Sequence, residues 1–345
     1  MTVHTILLDT IGGTEAAALL VDGKLEDLLI SVPKAFGVVP GSICRAIIER
    51  FIKGQGGAIL KLHNGYSGFL RNSKGLTPGQ TILVQVISYP EDGKATPVTD
   101  RILFKGRSVI ITPGAKGINI SRQIRSEEER VRLFEIISGT EITNSGFGLI
   151  VRSEAQNVSN QGIHEESNNL ISLAQKVLSD EGNGAELLVE GLGSHELATR
   201  DWPSSDESQI INGGFEDYGV LDDLDDLMGS YVKIGTGSAF IEPTRALIAI
   251  DINTGSDLSP AAGLKVNLNF AKALPRQLKL RGLGGQITID LAPMPKKDRK
   301  QFENTLKLAF KSDPIETALV GWTPLGHFEI QRKRERFPLS HALRK

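Results

Sequence analysis

Asp251, Asn253 and Asp290 are the residues of this chain whose types and spacing carry the clearest chemistry. Asp251 and Asn253 close the apolar run IAIDIN, and Asp290 closes a second run, ITID. Ligands bind at the carboxyl ends of the strands in an α/β sheet. If the two strands are neighbours, both carboxylates enter one crevice. Two uncompensated carboxylates beside apolar strands are costly, and a divalent cation would relieve that cost. Mg²⁺ prefers hard oxygen ligands and is held by one or two carboxylates, with water and substrate phosphate completing its shell. The chemistry implied is metal-assisted phosphodiester hydrolysis, with Asn253 donating to a non-bridging oxygen. The bland alternative is that each Asp caps the helix or turn after it. The pairing of two such strand ends, the carboxamide and the basic helix between them favour the metal.

Several elements must position these groups. Ala246–Ile250 is a nearly all-apolar strand, which reads as buried on both faces. A hairpin precedes it, Tyr231–Ile234 and Ser238–Ile241 around Gly235 and Gly237. Pro260 opens a helix that runs to about Arg281, with Leu264, Leu268, Ala271, Leu274 and Leu278 on one stripe. Glycines 282, 284 and 285 end it. Strand Gln286–Ile289, helix Lys296–Lys311 and strand His327–Ile330 follow, so strand and helix alternate as in an α/β layer.

The earlier chain reads differently. Residues 4–31 hold three β-like runs separated by the turn signals Gly12-Gly13 and Asp22-Gly23. Pro33–Pro40 is a connector. Residues 43–112 hold many short β-like runs between Gly, Asn and Pro, the rhythm of a small barrel or sandwich. Ser126-Glu127-Glu128-Glu129 is a capping box that starts a helix. GLIVRS is a strand, and His164–Ser179 has helical apolar spacing. Residues 195–226, acidic and poor in apolar side chains, read as a long surface connection with one short helix, VLDDLDDLM.

The chain has 345 residues, 39 Lys and Arg, 41 Asp and Glu, six His and one Cys. That length suggests two or three domains at roughly 100–200 residues each. With Cys44 alone, an internal disulfide and a multi-cysteine zinc ribbon are excluded. No apolar run approaches the roughly 20 residues of a membrane helix, and the N-terminus does not read as a signal peptide. A cytoplasmic protein without membrane contact is expected. The net charge of −2 hides a split. Acids dominate from Glu154 to Asp226, whereas from Gly263 onward Lys and Arg exceed Asp and Glu by about ten. Lys296-Lys297 and Arg332-Lys333-Arg334 are the densest basic points. This local bias suits a polyanion such as RNA or DNA, against the plain reading of solvated helix faces. No dinucleotide fingerprint, phosphate-binding GK[ST] motif or His ligand spacing is present.

Three blocks carry a family resemblance: GSYVKIGTGSAFIEPTRALIAIDINTG, VNLNFAKALPRQLKLRGLGGQITIDLAPM and GHFEIQRKRER. Together they closely resemble the catalytic core of the ribonuclease E/G family, most strongly from about Gly229 to Arg336. The resemblance implies a single-strand-specific endoribonuclease that leaves 5′-phosphate and 3′-hydroxyl ends. By position, Asp251 and Asp290 match its magnesium-binding aspartates and Asn253 its catalytic asparagine. The implied fold is a multi-domain α+β protein. An RNase-H-like subdomain begins with residues 1–36 and carries an inserted oligonucleotide-binding (OB-type) β-barrel at 37–105 and a 5′-sensor-like region at 106–160. A remnant of that subdomain, or acidic connection, spans 161–228, and a DNase-I-like catalytic subdomain spans 229–345. Phe69 stands at a stacking position of the family's barrel and Lys94 at a basic one. Arg152-Ser153 resembles the Arg-Thr pair that grips a 5′-monophosphate.

Some positions depart from the family pattern. The second stacking aromatic falls at Ile59, a further sensor arginine at Glu316, and Arg245 stands where many members carry Glu. The family's cysteine-pair zinc link is missing, so neither zinc nor a zinc-linked tetramer is expected, and a homodimer is left open. The resemblance is to short members with a WTPLGHFE-type segment, here Trp322–Glu329. The expected activity is Mg²⁺-dependent cleavage of single-stranded RNA in processing or decay. The competing expectation is a catalytically weak, RNA-binding regulator on the same scaffold.

Overall fold

A computed structural model describes residues 3–32, 37–52, 54, 56–91, 93–203, 208–259 and 261–343. Pro260 and the first half of the Pro33–Pro40 connector, both singled out in the sequence, lie outside the described residues. The chain forms two compact units. Pro33–Gln209 make one, and His4–Val32 with Ile210–Lys345 make the other. This division is coarser than the five-part expectation and shares residues 161–228 between the units.

The chain begins with strands β1 (His4–Ile11), β2 (Thr14–Val21) and β3 (Lys24–Ile30), a meander with antiparallel pairing throughout. Its turns need left-handed backbone, and Gly12 (φ 57°), Gly13 (φ 82°), Asp22 (φ 50°) and Gly23 (φ 76°) supply it.

The Pro33–Gln209 unit opens with a closed five-strand barrel. Its strands are β4 (Ile43–Phe51), β5 (Ala58–Lys61), β6 (Ser67–Leu70), β7 (Thr81–Val86) and β8 (Thr96–Thr99). The order is β4-β5-β6-β8-β7, and β4 pairs with β7 to close the ring. Cys44, Ala46, Leu60, Val84 and Val98 fill it. Burial pushes the Cys44 thiol up to about 11, so the lone cysteine behaves as a core hydrophobe.

The run SVIITPG, read with the barrel, belongs to another sheet. β9 (Phe104–Lys105), β10 (Val109–Thr112), β11 (Gly117–Ile120) and β12 (Gly148–Val151) run in the order β11-β12-β10-β9. Periodicity shows a strand but not its partner, and β10 pairs with β12 rather than with a barrel strand. Helices α1 (Glu127–Ser138), α2 (Ile142–Ser145) and α3 (Asn160–Leu178) pack with this sheet through Leu133, Ile137, Ile142, Ile163, Ile171 and Ala174. The Ser126 hydroxyl accepts from the Glu129 N–H at 3.3 Å and caps α1. β13 (Glu186–Val189) pairs with β4, and α4 (Ser194–Asp201) follows.

The acidic stretch read as a surface connection is largely folded. β14 (Gln209–Asn212) pairs with β1 at the edge of the N-terminal sheet, and α5 (Val220–Met228) follows. Trp202, Phe215, Val220, Leu224 and Leu227 are buried. The last four pack with Leu7, Leu20 and Leu25 of the meander. These few large apolar residues do the burying, which an averaged composition conceals.

The C-terminal sheet has six strands: β15 (Tyr231–Ile234), β16 (Gly237–Pro243), β17 (Ile248–Asn253), β18 (Gly285–Asp290), β19 (Thr317–Trp322) and β20 (Phe328–Arg332). Their order is β15-β16-β17-β18-β20-β19. Only β17 and β18 are parallel, joined by α6 (Ala262–Leu280). α7 (Arg299–Phe310) follows β18, and a short α8 (Leu339–Ala342) comes last. β20 runs antiparallel to β18, and β19, which the alternation pattern omitted, forms a hairpin with it. Phe270, Leu274 and Leu278 of α6 and Phe302 and Leu306 of α7 pack on one sheet face. At about 1.5–3 kcal/mol per fully buried large apolar side chain, this layer fixes the sheet. The other face is open, so β17 is buried on one face rather than two: Ile248, Ile250 and Ile252 point inward and Asp251 and Asn253 outward.

Candidate active site

Parallel pairing of β17 and β18 puts Asp251 directly opposite Asp290. Both are the outward residues of an in–out alternation, so their carboxylates stand side by side on the open face at the carboxyl ends of two adjacent strands. Asn253 joins them, its Nδ2 donating to Asp251 Oδ2 at 2.8 Å. His327 Nε2 lies 3.7 Å from Asp290 Oδ1. The three residues singled out in the sequence are therefore brought together.

One part of the sequence argument changes. The carboxylates are exposed, with the Asp290 side chain 65% accessible, so desolvation is not the force that favours a cation. Mutual repulsion is. Unit charges about 5 Å apart repel by about 1–3 kcal/mol between water-like and surface-like dielectrics. Among the described residues no Lys or Arg forms an ion pair with either carboxylate, and no group of three His, Cys, Asp or Glu could hold a metal. Two hard-oxygen carboxylates open to water and substrate suit Mg²⁺, which keeps much of its hydration shell. They do not suit a closed thiolate or imidazole centre.

The supports of the site are buried. Asn267 of α6 is fully buried, donating from Nδ2 to the Ala292 carbonyl at 2.8 Å and accepting at Oδ1 from the Ala292 N–H at 3.1 Å. It thus pins the chain two residues past Asp290. On the other side, a side chain at Gly237 would come within 2.4 Å of the Asn253 carbonyl, so only glycine allows this approach beside the Asp251 strand. Sequence reading missed Asn267 and His327. The signal for Asn267 was a carboxamide in line with Phe270, Ala271 and Leu274 on the apolar helical stripe. His327 carried none, since its approach to Asp290 depends on the β18–β20 register.

The four residues singled out for RNA contact belong to the Pro33–Gln209 unit. Phe69 is half-buried on the outer face of the barrel, opposite Ile59 on β5 and Pro97 on β8. Lys94 is exposed and paired with Glu91 at 2.5 Å. Arg152 donates to the Gly106 carbonyl and lies 3.0 Å from Asp201 Oδ1, while Ser153 opens a 3-10 turn. Burial would raise the Asp201 carboxyl, but hydrogen bonds and charge from Arg200 and Arg152 outweigh it and hold Asp201 below the ordinary carboxylate range. In the C-terminal unit, Glu316 pairs with Lys333 and Arg245 is exposed in a turn.

Much of the C-terminal basic excess is structural. Arg276 donates Nε to the Leu25 carbonyl at 2.7 Å and sits 3.3 Å from Glu26. Lys279 and Arg336 converge on buried Asp27 at 3.8 and 3.1 Å. Arg332 is buried 3.0 Å from Asp313. Lys296, Lys297 and Lys300, which follow Asp290 in the chain, are exposed. Among the described residues, no helix is long and apolar enough to cross a membrane.

The sequence pattern of the Ribonuclease E/G family matches residues 104–214 and 212–335. A protein named Ribonuclease G from Salmonella typhimurium is 26% identical over 404 aligned positions, covering 98% of this chain and 81% of that protein. Ribonuclease G of Escherichia coli K12 is 25% identical with the same coverage. A protein named Ribonuclease E from Synechocystis is 30% identical over 75% of this chain but only 44% of its own length. The matched segments contain the strand ends that carry Asp251, Asn253 and Asp290. With two thirds of its length matched, the chain belongs to the ribonuclease E/G family.

Proposed function

We propose that this chain is a Mg²⁺-dependent endoribonuclease that hydrolyses single-stranded RNA to 5′-phosphate and 3′-hydroxyl ends, in RNA processing or decay. The observation that carries the reading is the in-register pair Asp251 and Asp290, with Asn253 hydrogen-bonded to the former. Asp251 and Asp290 would hold the cation. Bound there, it supplies an activated water and offsets charge on the phosphate. Asn253 orients Asp251 through its N–H and turns a donor toward a non-bridging phosphate oxygen. The water oxygen bonds to phosphorus, the bond to the 3′-oxygen breaks, and that oxygen takes up a proton. This yields the two stated ends.

The same reading assigns the finer architecture. The meander with β14 and α5 is the RNase-H-like part, 37–105 the OB-type barrel, 106–160 the sensor-like region and 229–345 the DNase-I-like catalytic part. Phe69 and Lys94 contact RNA on the barrel, Arg152 and Ser153 are the RNA-binding residues of the 5′-sensor-like region, and the protein works in the cytoplasm. A weakly catalytic RNA-binding role is less well supported, because the carboxylate pair is intact while Arg152 is engaged by Asp201.

The test is cleavage of an end-labelled, A/U-rich single-stranded RNA with Mg²⁺, with EDTA, and by Asp251→Asn and Asp290→Asn. Cleavage by the native protein alone, and only with Mg²⁺, is expected. Full activity of either variant would overturn the carboxylate assignment. Binding without cleavage in every lane would favour the regulatory reading.

A further inference from the structure

Three rows of side chains cross the open face of the C-terminal sheet. In the first, Tyr231, Phe240, Asp251 and Asp290 are successive partners on β15, β16, β17 and β18. In the second, Lys233, Ser238 and Asn253 are partners on β15, β16 and β17. In the third, Glu242, Ala249, Thr288 and Glu329 run from β16 to β20. Opposed residues project to the same face, so the carboxylate pair has an aromatic pair beside it in its own row. A cation and a hydroxyl flank it on one side and two carboxylates on the other.

The aromatic pair is not core. The inward positions of β15 and β16 are filled by Val232, Ile234, Ala239 and Ile241, whereas Tyr231 is 54% and Phe240 36% exposed. Their rings meet edge to face, with centroids 5.6 Å apart and planes at 66°. Adjacent strands lie about 4.8 Å apart, which places Phe240 one strand and Tyr231 two strands from Asp251.

We propose that Phe240 and Tyr231 form a stacking platform for the base next to the scissile phosphate of a single-stranded RNA, with its backbone along Ser238 and Lys233. The inference rests on the hydrolytic reading above. Exposed aromatic faces stack any base, so the platform is tolerant of sequence. It requires an unpaired base, because a base inside a duplex has both faces covered by its neighbours. The charge asymmetry sets the path: a phosphate chain is attracted along the Lys233 row and repelled from Glu242 and Glu329.

The test pairs protein variants with base deletions. Phe240→Leu and Tyr231→Leu keep apolar bulk but remove the π-face, and Phe240→Trp restores one. Steady-state cleavage and equilibrium binding are measured on one oligoribonucleotide and on versions abasic at each nucleotide flanking the cleavage point. The double leucine variant should raise KM and Kd about tenfold with kcat within about twofold. One abasic site should cost the native protein the same tenfold and cost the variant nothing further. Phe240→Trp should recover binding. A 5-iodouridine at that nucleotide should crosslink to Phe240 or Tyr231. Equal abasic penalties in native and variant proteins would overturn the platform, as would loss of self-association in the variant with RNA binding unaltered. If the native protein binds RNA but never cleaves it, the hydrolytic reading fails while the Kd coupling still decides the platform. Absence of any RNA binding overturns both.

Discussion

Asn267 clamps both backbone groups of Ala292, two residues beyond Asp290. The clamp is buried, so its loss is not repaired by water. Asn267→Leu strands a donor and an acceptor at about 1–3 kcal/mol each. The expected result is a melting temperature several degrees lower and at least a tenfold loss of kcat as Asp290 shifts, with KM nearly constant. Asn267→Asp sets a buried carboxylate against the Ala292 carbonyl unless it is protonated, so its defect should ease as pH falls. A leucine variant with native kcat and native Mg²⁺ titration would show that Asn267 is packing alone.

Arg152 faces an internal carboxylate. Asp201 and the Gly106 carbonyl take up its guanidinium. RNAs with 5′-phosphate and 5′-hydroxyl ends should therefore be cleaved at rates within about twofold. Asp201→Asn removes the competing charge and should create a 5′-phosphate preference. A strong preference in the native protein would refute this.

The same carboxylate predicts an acid limb of stability. Because folding depresses the Asp201 pKa, its contribution is fully present above the ordinary carboxylate value and is lost as pH falls through the lowered one. The melting temperatures of native and Asp201→Asn proteins should differ most above about pH 5 and converge toward pH 2. A difference that grows on acidification would contradict the sign.

What the sequence revealed divides along one physical line. Local chemistry was legible: the turns at Gly12-Gly13 and Asp22-Gly23, the Ser126 cap, and the Asp ending each apolar strand. Pairing across distance was not. No local pattern distinguishes Arg276, paired with Glu26 some 250 residues earlier in the chain, from the exposed Lys296. The row joining Phe240 to Asp251 exists only through the register of β16 on β17. In the acidic 195–226 stretch the helix VLDDLDDLM was legible from its own spacing, but the anchoring of the rest by Trp202 and Phe215 was not, since those two stand outside any periodic pattern.

Asp27 is the hub of the basic residues used internally. It is 3% exposed, and Lys279 and Arg336 converge on it. Asp27→Ala leaves partly buried cations without their carboxylate, a change of about 3–5 kcal/mol where both charges are buried and less here. Unfolding in urea should show a loss of about 2 kcal/mol with the m-value maintained. The salt dependence of RNA binding should be the same as native. A changed salt slope would mean that these cations reach RNA.

Lys296, Lys297 and Lys300 make the converse case. They are exposed and follow Asp290 in the chain. If RNA lies over the Asp251–Asp290 face, these join Lys233 as cations able to neutralise its phosphates. Each neutralised phosphate releases condensed counterions, and for single strands log K falls with log salt by about 0.7 per contact. Replacing all three with Ala should flatten the slope by about 1–2 and weaken binding alike for all sequences. Lys279→Ala, by contrast, should lower stability and leave the slope as it was. The two variants together separate cations that hold the fold from cations that hold the substrate. A slope that follows Lys279 rather than the lysine triplet would place the RNA path elsewhere.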